Sequence, residues 1–556
     1  MNNKEIASIL NQIAKLLELH GKNSFRARAY SQAAYKIEKL PEALDLNKIK
    51  NIPGIGNSIQ EILEEILKGQ KVTLLEELLD KTPKGVIDMM RIKGLGPKKL
   101  RTIWKDLKVE SIGELYYACE ENRLIHLKGF GKKSQDNVMK SIQFLKQQEG
   151  LFLFMDAWEI HKRLLEQIPN FSANWFLSGS VAQQENTIEK LEYIGNKDID
   201  DLKKELQSCF EQSTNFHVKE KQLLIESENL PPIVFNQVET KELGVSLIKN
   251  SSEPQWYDNL NKIYSLPEEA EDEQSFWKSI NLVAIPAYLR HGNLKDSIES
   301  SKNKDQIVSL DSIKGVIHSH STYSDGLNSI KEMAIHAKSL GYSYLVVSDH
   351  SKSAFYANGL EENRILKQHA EIDELNKELA PFKIFKSIES DILMDGNLDY
   401  DSEVLSSFDL VIASVHSNLQ MDKEKATERI LKAIANPYTT ILGHPTGRLL
   451  LSRPGYELDM NAIIAQCKKH KVAIEINAHP RRLDIDWEWI KTIQNAGVSL
   501  SINPDAHSLQ GISLIEYGVK AAQRGGLLKK NNLSSFSLEE FEGYLQENKQ
   551  KISRNQ

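Results

Sequence analysis

The chain has 556 residues, and at about 100–200 residues per domain that predicts several domains. Its composition, 40% hydrophobic and 26% charged, excludes a disordered chain, and no run approaches the about 18 apolar residues of a membrane span. The net charge of -7 is uneven: residues 1–150 carry 26 Lys+Arg against 19 Asp+Glu, the remainder 44 against 58, and 10 of the 15 histidines follow residue 300. A basic front ahead of an acidic, histidine-rich back suggests polyanion binding followed by a metal site.

The N-terminal stretch from Met1 to Lys22 reads as a polar amphipathic helix without the apolar stretch and cleavage site of a signal peptide, so a cytoplasmic protein is expected. Cys119, Cys209 and Cys467 are too few and too scattered for a disulfide framework or a cysteine zinc site. Through residue 150 apolar positions recur at helical spacing, as in Ile6, Ile9, Leu10, Ile13, Leu16 and Leu17. Between helices one pattern appears three times: Ile52-Pro-Gly-Ile-Gly56, Ile92-Lys-Gly-Leu-Gly96 and Leu127-Lys-Gly-Phe-Gly131. Such a turn points backbone N–H groups outward at the next helix start, where phosphate oxygens are suited. Gly54, Gly56, Gly94, Gly96, Gly129 and Gly131, with the cations of Lys98, Lys99, Lys132 and Lys133, are therefore candidate DNA-binding residues. The pattern resembles the helix-hairpin-helix motif, which grips DNA backbone without reading sequence. Ser24-Phe-Arg-Ala-Arg-Ala-Tyr30 resembles the opening of the small N-terminal domain of family X DNA polymerases, which adds Arg26 and Arg28 to the DNA-binding set. Where some relatives carry a lyase lysine, alignment on the first hairpin puts Ile62, so no lyase is expected from that position.

In a family X enzyme a nucleotidyltransferase palm should follow, its three carboxylates binding two divalent ions. Gly179-Ser180 follows the apolar run Trp175-Phe-Leu, as that resemblance requires. Counting onward, however, Ala182 and Gln183 take the arginine positions, Lys190 and Glu192 the Asp-x-Asp positions, and Val234 the third aspartate. Lysine and valine cannot replace bridging carboxylates, so the expectation is a polymerase fold without polymerase chemistry. Asp198, Asp200 and Asp201 read as helix-start acids. A thumb-like tail remains in Ile285 to Arg290, followed by a polar linker from Asn293 to Asp311.

Beyond residue 311 strands and helices alternate. Seven short apolar runs occur, most ending in a candidate ligand: His318 and His320, His350, Glu389, His416, His444, and Asp505 with His507. Parallel strands joined by helices can close into a barrel whose active residues gather at the strands' C-terminal ends. With Asp325 these make nine nitrogen and oxygen ligands without cysteine, suited to a zinc, manganese or iron cluster. Such a cluster activates water and clamps phosphate oxygens, so phosphoester hydrolysis is the expected class.

His318-Ser-His320 with Ser324-Asp-Gly326, Ser348-Asp-His350, Ala413 to Ser417, Leu442 to Arg448, Glu475 to Ala478 and Asp505-Ala-His-Ser508 resemble the polymerase-and-histidinol-phosphatase (PHP) domain, in the version fused to bacterial family X polymerases. The resemblance implies a distorted seven-unit barrel holding three divalent metals, manganese or zinc with iron a further option. It also implies manganese-dependent 3′-5′ exonuclease activity, in some relatives with abasic-site cleavage. His318, His320, Glu389 and Asp505 are the catalytic candidates, and Arg448 is placed to meet a substrate phosphate. Asp349 and Glu475 are expected to orient ligand histidines, while His479 and Arg481 depart from the Asn and Asp of the related pattern.

The expected fold is multidomain: all-α helix-hairpin-helix modules at 1–84 and 85–148, an α+β nucleotidyltransferase-like palm and thumb at 149–295, and an α/β distorted (β/α)7 barrel at 311–556. The expected protein is a monomeric, sequence-nonspecific DNA-processing nuclease. Its rivals are an active gap-filling polymerase, a histidinol-phosphatase-type phosphatase, and a non-enzymatic DNA scaffold.

Overall fold

The computed structural model describes residues 2–555 except 22–23, 41, 47, 50–51, 53, 121–122, 148, 211–213, 228–229 and 420. It forms two compact units, Met1–Glu149 and Gly150–Gln556. Among the described residues no helix is long and apolar enough to cross a membrane.

The first unit is helical: α1 (Asn3–Leu19), α2 (Ser24–Glu38), α3 (Asn57–Leu67), α4 (Thr73–Asp80), α5 (Lys84–Met89), α6 (Pro97–Leu107), α7 (Ile112–Glu120) and α8 (Lys132–Gln147). Apolar stripes at three-to-four spacing bury Ile6, Leu10, Ile13 and Leu17 of α1 against Tyr30, Ala33, Ala34 and Ile37 of α2. Ile62 is part of this core, so nothing polar stands at the lyase position.

The second unit opens with α9 (Phe154–Gln167) and a five-stranded sheet. Its strands are β1 (Trp175–Ser178), β2 (Leu191–Gly195), β3 (Asn215–Lys219), β4 (Gln222–Glu226) and β5 (Ile233–Gln237), in the order β1-β2-β5-β4-β3. Within this sheet only β2 and β5 pair in parallel. Asp198 caps the helix Ile199–Leu206 by accepting from the N–H groups of Asp200 (2.9 Å) and Asp201 (3.2 Å). The acids there serve helix initiation, as their position implied.

The stretch 293–311 is not the polar linker expected. Asn293 caps a helix, Leu294–Lys302, and Ile307 and Val308 are buried. Leu294, Ile298, Ile307 and Val308, though sparse in the sequence, have a core to join, and it is the outer core of the barrel.

The barrel strands are β6 (Gly315–Ser319), β7 (Tyr344–Val347), β8 (Lys383–Asp391), β9 (Leu410–Ser414), β10 (Thr439–Leu442), β11 (Ala473–Asn477) and β12 (Leu500–Asn503). They form one parallel sheet in chain order, and a bridge between Ser319 and Ala506 brings its two edges together. The strands are buried on both faces, which is why they read as apolar runs without alternation. Ile317, Val346, Phe385, Ile412, Ile441 and Ala473 fill the lumen, into which the last helix, α11 (Leu538–Asn555), inserts Phe541 and Leu545. Phe541 stacks on Tyr344 at 4.7 Å.

The palm-like sheet and the barrel share a core. Leu483, Tyr517 and Ala521 of the barrel sit with Phe154, Trp175 and Phe235, the last two barrel residues lying on α10 (Ile515–Arg524). At the rim of this core Trp158 Nε1–H donates to Glu516 at 2.6 Å, and Lys162 pairs with the same carboxylate at 3.1 Å.

Candidate metal centre and nucleic-acid interface

The nine ligand candidates converge at the C-terminal ends of the barrel strands. Three groups of donor atoms lie close enough to share an ion: His320, Asp325, His350 and His507; His318, His320 and Asp505; and His350, Glu389 and His416. His444 joins them through Glu389, its Nε2 lying 3.0 Å from Oε1. The buried Glu389 is the hub, with His318 Nε2 at 3.3 Å and His416 Nε2 at 3.1 Å from the same oxygen. Burial alone would raise its carboxyl pKa, but His416, His318 and His350 hold it well below the usual range.

A second ring of groups fixes how the histidines point. His318 Nδ1–H donates to Glu475 at 2.6 Å, leaving Nε2 buried without a hydrogen-bond partner, 3.5 Å from Asp505 and aimed among carboxylate oxygens. Burial would depress the His318 pKa, yet Glu475, Asp505 and Glu389 raise it well above the ordinary imidazole value. His416 repeats the arrangement with Asp391 on Nδ1, and its pKa is raised to about 10 against burial by Glu389 and Asp391. Imidazole nitrogens and carboxylates converging in a buried space require positive charge between them, which a divalent cation supplies. The nitrogen and oxygen donor set fits such an ion.

Three of the nine take left-handed backbone conformations that residues other than glycine seldom adopt: His318 (φ 68°), His444 (φ 21°) and Asp505 (φ 52°). Strain of about 1–3 kcal/mol per residue persists only where the surroundings over-determine the position. Here the N–H of His444 is held by Glu475 Oε2 at 2.6 Å, and Asp505 Oδ2 by Asn477 Nδ2–H at 3.1 Å.

Several supporting residues lie outside the ligand motifs. Asp391 was detectable as the second acid of Glu389-Ser-Asp391, two residues along a strand and hence on the same face. Asn477 and Asn503, opposite each other across β11 and β12, hold Asp505 and Glu475; only the assembled barrel reveals that pairing. Asp349 does not orient a ligand histidine, contrary to expectation. It accepts from Ser321 N–H (2.7 Å), Ser324 N–H (3.2 Å) and Gln368 (2.6 Å), and so shapes the loop that carries Asp325. Arg448 spends its guanidinium inside the barrel: Nε donates to Arg482 O at 2.8 Å, Nη2 to Leu483 O, and Nη1 pairs with Asp486. Its donors clamp the turn after β11.

In the helical unit Gly54, Gly94 and Gly129 have φ of 73°, 87° and 88°, conformations that call for glycine. Pro53 of the first hairpin lies outside the described residues. A Cβ on Gly56, Gly94, Gly96, Gly129 or Gly131 would meet nothing of the protein within 4 Å, so these glycines keep backbone open toward an outside partner. Gly56 and Gly96 are the N-caps of α3 and α6 and make no side-chain cap bond. Lys98, Lys132, Lys133, Arg26 and Arg28 are exposed, Lys98 lying 3.7 Å from Glu18, and Lys99 is half-buried over the Phe130 ring at 5.4 Å.

In the palm-like sheet Glu192 and Val234 are direct neighbours in the parallel register of β2 and β5. Lys190 Nζ pairs with Glu192 at 3.0 Å, and Gly179 approaches so closely that a Cβ there would lie 2.3 Å from the Glu192 carboxylate. One carboxylate, neutralised by a lysine, occupies the ground where three would be needed.

Comparison with known proteins agrees with this arrangement. Residues 1–72 match the profile of a helix-hairpin-helix domain, 86–143 that of a SAM-like helix-hairpin-helix tandem, and 317–479 that of a PHP domain. A "Probable phosphatase" of Thermoanaerobacter sp. (strain X514) is 26% identical over 239 residues, covering 39% of this chain and 94% of that protein. Another "Probable phosphatase", of Vibrio vulnificus (strain YJ016), is 28% identical over 218 residues, covering 36% of this chain and 80% of that protein. Over the full length, the DNA polymerase/3′-5′ exonuclease PolX of Bacillus subtilis (strain 168) is 31% identical across 579 residues, covering 99% of this chain and 100% of that protein. From its helix-hairpin-helix turns to its C-terminal PHP barrel, this chain belongs to the bacterial family X polymerase (PolX) family.

Proposed function

We propose that the protein is a cytoplasmic DNA repair and processing nuclease in which the PHP barrel hydrolyses phosphodiesters from 3′ ends. The observation that carries this reading is the convergence of the nine donor residues in overlapping groups at one end of the barrel, joined in one chain to open glycine hairpins. His318, His320, Asp325, His350, Glu389, His416, His444, Asp505 and His507 would hold three divalent ions, manganese or zinc, with iron the further option. When bound, such ions lower the pKa of a water and neutralise phosphate oxygens. The chain's own contribution is orientation: Glu475 and Asp391 fix two histidines, and Asn477 fixes Asp505. Residues 1–84 and 85–148 bind DNA backbone without sequence preference, 149–295 is a palm and thumb without polymerase chemistry, and 311–556 is the catalytic domain, acting as a monomer.

Lys190 and Val234 weigh against the gap-filling polymerase suggested by the name of the Bacillus subtilis relative. The phosphatase relatives named above cover 39% and 36% of this chain, and the helix-hairpin-helix unit speaks for a DNA substrate. The test is incubation of 5′-labelled single-stranded DNA with the Mn²⁺-loaded protein. A ladder of shortened products from wild type, absent with Glu389→Ala, is expected; an intact substrate, or one cut equally by both proteins, would overturn the reading.

A further inference from the structure

The turn that follows β11 carries His479, Arg481 and Arg482, and its hydrogen bonds tie it to the ligand set. The His479 N–H donates to Asn477 Oδ1 at 3.0 Å, and Asn477 Nδ2–H donates to Asp505 Oδ2 at 3.1 Å. Two hydrogen bonds therefore tie the turn to a metal-ligand candidate. The His479 carbonyl accepts from the N–H groups of Arg482 (2.7 Å) and Leu483 (3.1 Å), closing a tight turn over Pro480, whose ring presets the backbone.

His479 Nδ1 accepts the Arg481 N–H at 3.2 Å, so the ring proton belongs on Nε2, which has no protein partner among the described residues. Burial pushes the ring's pKa down to about 4; Asp505 opposes this, while Arg482, Arg481 and His507 add to it. At neutral pH it is an uncharged N–H donor. Arg481 is exposed and Arg482 half-buried, and among the described residues neither guanidinium makes a hydrogen bond or ion pair.

The turn cannot relax to bury or separate these groups. Arg448 donates to the Arg482 carbonyl, Leu450 N–H to the Arg481 carbonyl at 2.6 Å, and Asn477 N–H to the Asp484 carbonyl at 2.6 Å. Leu483 is anchored in the core of the palm-like sheet. Two arginines and one ring N–H are thus carried within four residues on a turn tied through Asn477 to Asp505; Arg481 lies within electrostatic reach of Asp156 and Arg482 of Asp484, and neither forms an ion pair or hydrogen bond with them.

We infer that the His479–Arg482 turn is a phosphate-gripping subsite. It donates from His479 Nε2–H and the guanidiniums of Arg481 and Arg482 to the non-bridging oxygens of a phosphodiester next to the scissile bond. The guanidinium fork matches phosphate geometry, and the ring N–H adds a further donor beside it. The palm-like sheet acquires a role as the buttress that holds Leu483, and with it the turn, in place.

This inference rests on the nuclease reading, so its test has one readout that depends on cleavage and one that does not. With full-length, Mn²⁺-loaded protein and single-stranded DNA, Arg481→Ala/Arg482→Ala and His479→Ala are expected to raise KM by about 10- to 100-fold while changing kcat little. Arg481→Lys/Arg482→Lys should recover part of that loss, because charge remains without the fork. Calorimetric titration of inorganic phosphate into the Mn²⁺-loaded proteins should show weakening by a similar factor. Alanine variants with wild-type metal content and melting temperature, but unchanged KM and unchanged phosphate affinity, would overturn the inference. Failure of wild type to cut DNA would overturn the nuclease reading instead, and the phosphate titration would still decide the subsite.

Discussion

Glu475 holds two ligand candidates at once: one oxygen accepts His318 Nδ1–H at 2.6 Å and the other accepts the backbone N–H of His444 at 2.6 Å. Both residues stand in left-handed conformations, so a single carboxylate from β11 fixes a ring on β6 and a backbone at the end of β10. Glu475→Gln keeps the shape but weakens both bonds. It is expected to lower Mn²⁺ affinity by about 10- to 100-fold, read by metal titration, with loss of cleavage that excess Mn²⁺ partly restores.

Glu192 neighbours Val234 and pairs with Lys190, and among the described residues the palm-like sheet gathers no group of three metal-ligating side chains. All tightly bound divalent metal should therefore reside in the barrel. A His318→Ala/His320→Ala/Glu389→Ala protein, still folded by circular dichroism, is expected to retain none by elemental analysis.

Ions that bind the folded barrel and not the unfolded chain stabilise it by mass action, about 2.7 kcal/mol at 100 times the dissociation constant. Chelation should lower the melting temperature of the second unit and leave that of the isolated segment 1–149 unchanged. Equal shifts in both, by calorimetry, would place metal in the helical unit.

Lys98, Lys99, Lys132 and Lys133 flank the second and third hairpins. Each phosphate contact contributes about 0.9 to the slope of log K against log salt. Replacing all four with alanine is expected to weaken DNA binding equally across sequences and to flatten that slope by about 2–4, measured by fluorescence anisotropy. The Lys98–Glu18 pair and the Lys99 contact with Phe130 place the smaller part of the effect on those two positions.

Burial holds His291 neutral, with its pKa down to about 4, and Arg524 beside it acts in the same direction. Because the folded pKa lies below the unfolded one, this contribution is complete above about pH 6.5 and is lost as pH falls toward 4. His161 behaves alike beside Lys520. Stability of the second unit should fall across that window, and His291→Gln should flatten the fall, as read by urea unfolding between pH 4 and 7.

Much of this architecture was legible because its signals are local. The glycine hairpins declare themselves by residues that only an outward turn requires, and the ligand candidates by their places at the ends of apolar runs. What was not legible depends on strands far apart in sequence. Asn477 and Asn503 become partners only through barrel register, and the helix in 293–311 has apolar positions too sparse to announce it without the core they enter. Arg448 shows the limit from the other side. Its spacing after His444 matches a phosphate ligand, but the carbonyls of Arg482 and Leu483 claim its donors, and the exposed arginine of the turn it clamps is Arg481.

The most direct test is a labelled primer–template incubated with Mn²⁺ and all four deoxynucleotides, with wild type beside His318→Ala/His320→Ala. Primer shortening by wild type that vanishes in the variant is the predicted result. Primer lengthening by wild type would contradict it and return the chemistry to the palm.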